Sequence, residues 1–221
     1  MSGETLSTDR LRKAYLGAEY AVIFFGVVIA YTVLFTGSNP IPVLVVLALA
    51  AVLYLLRSPA FDRGSLWRPG RLCAELPSIA FLWFVTAVGS TVVILFTTPE
   101  LFLGFPRTEP VVWGFVMVLY PVLSVYPQEL IFRAFMFQRY QPIFGDGIGM
   151  ITASAAAFGF VHIAFGNWVS VVLSAAGGWI FASRYRRSRS LFTVSVEHAL
   201  YGMLMFTVGL GIYFYHGASV S

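Results

Sequence analysis

The sequence predicts an all-α membrane protein, a polytopic bundle of about seven transmembrane helices, or eight if one segment is divided. Hydrophobic residues make up 58% of the 221 residues and charged residues only 11%, whereas a soluble domain carries about 25% charged residues. Apolar segments near the roughly 20 residues needed to cross a bilayer recur along the chain with short breaks between them. Arginines cluster in alternate breaks, which is typical of the cytoplasmic loops of a membrane protein.

The N-terminal part of the chain, residues 1–110, contains the first three predicted spans. The first covers residues 15–35 and ends at a turn cluster of Gly, Ser, Asn and Pro. The second covers residues 41–56 and is followed by a loop with four arginines. The third covers residues 76–96. We expect this part to pack with the rest of the chain as a single integrated domain.

The C-terminal part, residues 111–215, contains the remaining spans. The fourth segment runs from residue 111 to Arg139 and contains Pro121 and Pro127. Proline removes a helical hydrogen bond and clashes with the preceding turn, so a kink or a break is expected there, and a break would create the eighth helix. The last three predicted spans are residues 148–165, 168–183 and 191–213.

The basic residues predict the orientation of the chain in the membrane. Seven spans with the N-terminus in the cytoplasm and the C-terminus outside satisfy the positive-inside rule at every loop. We therefore expect a multi-pass integral protein of a prokaryotic cell (inner) membrane. The basic clusters are, in chain order, Arg10, Arg12 and Lys13; Arg57, Arg63, Arg68 and Arg71; Arg139; and Arg184, Arg186, Arg187 and Arg189.

The composition also excludes several classes of function. The net charge of +4 comes from these clusters, which membrane orientation explains better than nucleic-acid binding does. We expect membrane lipids as partners and no nucleic acid. Cys73 is the only cysteine, so an intrachain disulfide and a cysteine-rich metal site are both excluded.

Ionisable side chains inside the last apolar segments, with Glu197 directly before His198 among them, mark a candidate site, because such groups are costly in a membrane and usually functional. Glu129 and Arg133 are four residues apart and share one face of a helix, where they can pair. His162 and His198 lie in later spans. A buried structural ion pair accounts for Glu129 and Arg133 equally well, so the histidines decide between the two interpretations.

The depths of these groups in the membrane are compatible with one shared site. At 1.5 Å of rise per residue, Glu129 lies about 15 Å and His198 about 13 Å from the cytoplasmic ends of their spans. His162 lies about 21 Å deep in an upright helix, and an average tilt of about 20° brings it closer to the others. The three side chains are therefore expected on the cytoplasmic side of the midplane.

One glutamate and two histidines facing a wet cavity allow two related chemistries. In the first, the carboxylate takes a proton from water while an imidazole orients the nucleophile or stabilises the oxyanion, and no cofactor is required. In the second, Glu129, His162 and His198 bind a divalent metal such as zinc, whose open position holds the water. Both chemistries end in hydrolysis of an amide, and the sequence does not separate them.

The order of these motifs resembles a known family. Gln128-Glu129-x-x-x-Arg133, then Phe158-x-x-x-His162, then His198 in a late span, is similar to the three-motif signature of the CPBP family. This family comprises the CAAX proteases and bacteriocin-processing enzymes, also called Abi, and its members are intramembrane endopeptidases. The resemblance covers the C-terminal part, which it identifies as a catalytic core, whereas the first three spans match only in being hydrophobic.

The resemblance implies a protease that cuts a peptide near the cytoplasmic leaflet, in prenylated CAAX-like tails, bacteriocin-type leaders or C-terminally tagged substrates. The partner is then a peptide or a lipidated protein. In the family the first glutamate of a Glu-Glu-x-x-x-Arg motif activates water and the second-motif histidine, here His162, assists it. The late histidine, here His198, forms an oxyanion site with an asparagine four residues on.

This chain departs from the family pattern at two positions. Gln128 stands at the first glutamate, and Gly202 stands at the asparagine. Glutamine donates and accepts hydrogen bonds but cannot act as a base. The expected roles are therefore Glu129 as base, or Gln128 as a positioner where the base was, and Arg133 as the partner that holds Glu129 or its helix.

Three functions are therefore open from the sequence. The first is an active intramembrane endopeptidase. The second is a catalytically inactive relative that binds a hydrophobic or lipidated peptide as a membrane scaffold, an alternative suggested by the two departures. The third, a proton-coupled transporter using the same charges, is disfavoured because the sequence shows no internal two-fold repeat of the kind common in transporters.

Overall fold

The computed structural model describes residues 2–35 and 37–214, and helices account for nearly all of them. No strand occurs in this part of the chain, which confirms the all-α fold. The last residue of the predicted C-terminal part, residue 215, lies outside the described residues. The long helices are α1 (Ser2–Ala21, Val22–Gly26 and Val27–Leu34), α2 (Ile41–Arg57), α3 (Gly70–Thr97), α4 (Pro110–Arg139), α5 (Ile148–Phe165), α6 (Trp168–Ser188) and α7 (Leu191–Val208).

The long helices correspond one to one with the seven predicted spans. Five of them, α1, α3, α4, α5 and α7, are long and apolar enough to cross a membrane. The apolar helix α2 has 17 residues, which corresponds to about 25 Å. The helix α6 ends in the basic residues Arg186 and Arg187. The chain is a multi-pass membrane protein, and its predicted orientation stays a prediction.

The alternative of a divided fourth segment does not occur, because α4 is continuous from Pro110 to Arg139, as the seven-span prediction requires. A π-helical turn, Pro121–Val125, begins at the first proline and ends two residues before the second, and another π-helical stretch follows at Leu130–Phe135. A π-helical turn lets the helix continue where proline removes an ordinary hydrogen bond, and such turns are frequent at functional sites. The two turns lie on either side of Glu129.

Two other predicted boundaries are shifted in the structure. The helix α3 begins at Gly70, six residues before the predicted start, although it contains Pro77. The helix α7 ends at Val208 because Gly209 has a φ of 117°. A Cβ atom at this glycine would lie 2.4 Å from the carbonyl oxygen of Leu101, so no other residue fits there without a shift of the backbone.

The helices α5 and α6 approach each other closely through small residues. A Cβ atom at Gly159 would lie 2.7 Å from the Cβ atom of Ala175. One helical turn before Gly159 on α5, the Cα atom of Ala155 would lie 3.1 Å from a Cβ atom at Gly178 on α6. Small residues are the usual means of close packing between membrane helices. This contact places Phe158 and His162 beside α6.

The basic end of the bundle is held by ion pairs between distant parts of the chain. Arg139, at the end of α4, donates two hydrogen bonds to Glu19 on α1, at 2.9 and 2.7 Å. Tyr140 donates to the same carboxylate at 3.0 Å. Twelve of the fourteen lysines and arginines lie at this end, which we call the arginine-rich end. The opposite, arginine-poor end holds the turn after α1, the turn between α5 and α6, and the end of α7.

Cysteine labelling tests the orientation. In a Cys73→Ser background, we expect a membrane-impermeant maleimide to label Ser38→Cys in intact cells, because residue 38 lies at the arginine-poor end. Ala60→Cys, in the exposed loop after α2, should be labelled only after lysis. The reverse pattern would contradict the orientation, and labelling of both variants after lysis is the control for reactivity.

Candidate active site

Glu129 lies at the centre of the buried polar site, with none of its surface exposed. Its Oε2 atom lies 3.1 Å from Nε of Arg133, one helical turn further along α4. Its Oε1 atom accepts a hydrogen bond from Nδ1 of His198 on α7, at 2.8 Å. The predicted i,i+4 ion pair is therefore present, and one predicted histidine contacts the same carboxylate directly.

Arg133 connects this carboxylate to two further helices. Its Nη1 atom donates to the Ser154 hydroxyl on α5 at 2.8 Å. Its guanidinium carbon lies 4.9 Å from the ring centroid of Phe158 and 5.8 Å from that of Phe181, which is on α6. Contacts of a cation with aromatic faces stabilise it more strongly when both are desolvated. Arg133 is fully buried, so these contacts replace part of its hydration, while its Nε and Nη2 atoms have no hydrogen-bond partner among the described residues.

The imidazole of His198 is fixed on several sides. Its ring stacks on Phe181, with 4.5 Å between centroids and 20° between planes. Because a carboxylate only accepts hydrogen bonds, the Nδ1 atom facing Glu129 carries the proton. In the neutral ring the Nε2 atom is then unprotonated. This atom lies 3.3 Å from the hydroxyl oxygen of Tyr120 on α4.

His162 lies in the last turn of α5, in the 3₁₀ segment His162–Phe165. Its Nδ1 atom donates to the backbone carbonyl of Phe158 at 2.7 Å, which leaves Nε2 as an acceptor in the neutral ring. The ring of Phe158 contacts both imidazoles, with centroids 4.9 Å from His162 and 5.4 Å from His198. The second predicted histidine thus lies near the site but makes no direct hydrogen bond to Glu129.

Gln128 points away from the carboxylate of Glu129. Its Nε2 atom donates to the Ser124 hydroxyl, one turn back on α4, at 2.7 Å. Adjacent residues on a helix project about 100° apart, so both side chains cannot reach the same contact. Gln128 is half-buried and binds to a side chain of its own helix.

A cavity of about 690 Å³ lies beside the site and is lined mainly by apolar side chains from α4, α5, α6 and α7. Tyr120, Ser124, His162 and His198 provide polar groups in its wall, whereas Gln128, Glu129 and Arg133 are not among the lining residues. The cavity extends from His198 to the turn at residues 37–40 and therefore lies on the arginine-poor side of the polar site. The expectation that Glu129 itself faces a wet cavity does not agree with its position.

One of the comparisons with known proteins found a match in the C-terminal part of the chain. Residues 109–204 match the family model of type II CAAX prenyl endopeptidase, Rce1-like. This segment is therefore similar to the CAAX prenyl endopeptidases, as its motifs predict. The comparisons with curated proteins and with solved structures found no match. The matched segment contains α4, α5, α6 and most of α7, and thus every side chain of the site described above.

The second departure from the family pattern, at Gly202, has a structural explanation. A Cβ atom at Gly202 would lie 2.2 Å from the hydroxyl oxygen of Tyr120 and 2.3 Å from its Cε1 atom. The phenol of Tyr120 therefore occupies the space in which any larger side chain at position 202 would lie. The sequence analysis missed Tyr120, because a tyrosine in an apolar helix does not by itself indicate a site.

The donor groups of the site do not have the arrangement of a metal centre. No group of three or more His, Cys, Asp and Glu side chains in the described part of the chain is placed to hold a metal ion. The oxygens of Glu129 face His198 and Arg133, and Nδ1 of His162 faces a carbonyl oxygen. Glu129, His162 and His198 would have to exchange these contacts to bind zinc as the second chemistry requires.

A second buried ion cluster, which the sequence analysis also missed, lies nearer the arginine-rich end. Arg184 on α6 donates to both carboxylate oxygens of Glu197 on α7, at 2.7 and 2.8 Å. It also contacts Glu75 on α3, 109 residues away in the chain, and donates to Ser78 at 2.6 Å. Glu197 therefore faces away from the site, although it precedes His198 directly. These contacts join α3, α6 and α7.

Removing the guanidinium of Arg133 tests how strongly the site is held. We expect Arg133→Met to destabilise the fold by about 3–5 kcal/mol, because the Glu129 carboxylate loses its buried cationic partner. Reversible unfolding in detergent micelles measures the change. Arg107→Met, at an exposed position of the short helix Gly104–Thr108, is the control and should change the free energy of unfolding by less than about 0.5 kcal/mol. Equal stability of the two variants would contradict the predicted importance of the pair.

Proposed function

We propose that the protein is an active intramembrane endopeptidase that hydrolyses a peptide bond in a substrate bound in the cavity. In this proposal His198 is the base and Glu129 is its positioning residue. One observation carries the proposal. Nδ1 of His198 donates to the buried Glu129 carboxylate, while the same imidazole lines the cavity. A carboxylate that holds one imidazole nitrogen leaves the other nitrogen free to act on substrate.

The proposed reaction uses one water molecule. Nε2 of His198 takes a proton from this water as its oxygen forms a bond to the carbonyl carbon of the substrate. The negative charge of Glu129 stabilises the imidazolium that results. When the tetrahedral intermediate collapses, the carbon–nitrogen bond breaks and His198 returns the proton to the leaving amine. His162, whose Nε2 atom is an acceptor, would orient the water or the peptide N–H.

The contacts of Glu129 argue against the role of direct base that the sequence suggested. One oxygen is engaged by His198, the other lies beside Arg133, and the side chain is fully buried. A general base must be within hydrogen-bond reach of the proton that it takes, either directly or through one water. His198 fulfils this condition for a substrate in the cavity. Gln128, which binds Ser124, retains a supporting position beside the cavity wall.

The shape and lining of the cavity support a hydrophobic substrate. Most of the lining side chains are apolar, and a prenyl group or the apolar residues of a peptide tail would bury their surface against them. We therefore keep prenylated CAAX-like tails, bacteriocin-type leaders and C-terminally tagged peptides as the proposed substrate classes. Because the cavity lies on the arginine-poor side of His198, the proposed cleavage takes place at or beyond the midplane and not at the cytoplasmic leaflet.

Cleavage of a fluorescence-quenched peptide that ends in a farnesylated CAAX sequence tests the proposal. We expect the purified protein in proteoliposomes to cleave it, and Glu129→Gln and His198→Gln each to lower kcat by at least about 100-fold. His162→Gln should also lower kcat. Glu100→Gln, which changes an exposed carboxylate, is the control and should leave kcat unchanged. Full activity of Glu129→Gln or His198→Gln would contradict the mechanism.

The same peptide distinguishes the inactive scaffold. This second candidate is favoured by Gln128, which replaces the expected carboxylate and binds Ser124. A scaffold would bind the peptide without product, and bacteriocin-type and tagged peptides would also remain uncleaved. Saturable binding without cleavage of any of these probes would support the scaffold against the protease.

We also propose that hydrolysis requires no metal, because the contacts within the site occupy the Glu129 carboxylate. The expected result is full activity after incubation with 1,10-phenanthroline and no stoichiometric zinc in elemental analysis of the purified protein. Loss of activity that added zinc restores would support the metal-dependent chemistry of Glu129, His162 and His198 instead.

A further inference from the structure

Tyr120 is placed to act on the substrate as well as on His198. Its hydroxyl oxygen lies 3.3 Å from Nε2 of His198, and its side chain lines the cavity. We propose that Tyr120 donates a hydrogen bond to the carbonyl oxygen of the scissile peptide bond and stabilises the oxyanion that forms there. This proposal rests on the proposed peptidase function and adds a catalytic residue to it.

The position of the phenol is fixed by a glycine opposite it. Gly202 lies four residues after His198, on the same face of α7, and a Cβ atom there would overlap the hydroxyl oxygen of Tyr120 at 2.2 Å. On the other side, the phenol ring packs edge-on against Phe206, with 5.3 Å between centroids. The tyrosine therefore cannot keep this position with any larger residue at 202.

The surroundings of the phenol suit a donor that acts on developing charge. The side chain is partly buried in the cavity wall and contacts His198 and Phe206 of α7, and its backbone directly precedes the π-helical turn Pro121–Val125. Donors that are held in place in a water-poor site stabilise an oxyanion without reorganisation in the transition state. Tyr120 is held in place by its contacts with His198 and Phe206, as such a donor must be.

The hydroxyl group of Tyr120 can donate its hydrogen bond first to His198 and then to the carbonyl oxygen of the substrate. In the free protein the phenol O–H donates to the unprotonated Nε2 of His198, over a distance that is long for such a bond. When a carbonyl oxygen enters the cavity, the O–H turns to it and Nε2 becomes free to take the proton of water. The phenol keeps its proton throughout, so the proton balance of the reaction is unchanged.

Separate measurements of kcat and KM for Tyr120→Phe test this proposal. With the farnesylated quenched peptide, we expect kcat to fall by about 10²–10³-fold, the usual effect of removing one oxyanion donor. KM should change by less than about threefold, since the lost bond forms in the transition state. Tyr126→Phe is the matched control. It removes a phenol on the same helix, outside the cavity, that donates to the Leu66 carbonyl at 3.4 Å, and it should leave kcat unchanged.

A second variant, on α7, tests the position of the Tyr120 phenol. Gly202→Ala should displace the Tyr120 hydroxyl and lower kcat by a similar factor, although alanine favours a helix more than glycine does. Thermal unfolding of each variant in detergent shows whether it is folded.

The possible outcomes separate this proposal from the peptidase function. Unchanged kcat in Tyr120→Phe, with His198→Gln inactive, would overturn the role of Tyr120 and leave the peptidase mechanism intact. A raised KM with unchanged kcat would show that the phenol only supports the pocket, which also overturns the proposal. Absence of cleavage by the wild-type chain, in the presence of binding, would overturn the peptidase function itself.

Discussion

The need to stabilise one carboxylate inside a membrane determines the arrangement of the C-terminal helices. An isolated carboxylate in this environment costs several kcal/mol, and the chain offsets this cost with a cation and an imidazole on two different helices. Arg133 lies on α4 with Glu129, and His198 approaches from α7. The serine and aromatic partners of Arg133 then add α5 and α6. Side chains from four helices thus surround the Glu129 carboxylate and its partner Arg133.

The same contacts orient the groups that face the cavity. The carboxylate determines which nitrogen of His198 is protonated, and the Phe181 ring determines the plane of the imidazole. The other nitrogen is then directed to the cavity side, where Tyr120 lies. Buried ionic networks are weak contributors to net stability but can specify a unique arrangement. Here we assign this second role to the buried pair of Glu129 and Arg133, which positions His198 as the base.

Much of the fold was predictable from the sequence, because membrane helices are long and apolar and their ends carry arginines. The i,i+4 pair of Glu129 and Arg133 followed from helix geometry alone. The prolines left open whether α4 is one helix or two, and the structure shows one helix, because a π-helical turn begins at Pro121 without ending it.

The contacts across helices were less predictable. Compatible depths in the membrane suggested that His162 and His198 share one site, but they could not show which of the two contacts Glu129. Tyr120 could not be distinguished from the other tyrosines without knowing that Gly202 leaves room for it. Arg184 was interpreted as an orientation signal. Only the structure shows that it contacts Glu75 and Glu197 in a buried cluster. Each of these contacts depends on the rotation of one helix relative to another.

Nitrogen NMR of isotope-labelled histidine side chains measures the central arrangement most directly. The chain has three histidines, so single substitutions can assign every signal. The account predicts that His198 is neutral, with its proton on Nδ1 and an unprotonated Nε2, and that Glu129→Gln changes its signals while those of His162 stay in place. A His198 ring with its proton on Nε2 and an unprotonated Nδ1 would contradict this arrangement. His198 signals that do not change in Glu129→Gln would also contradict it.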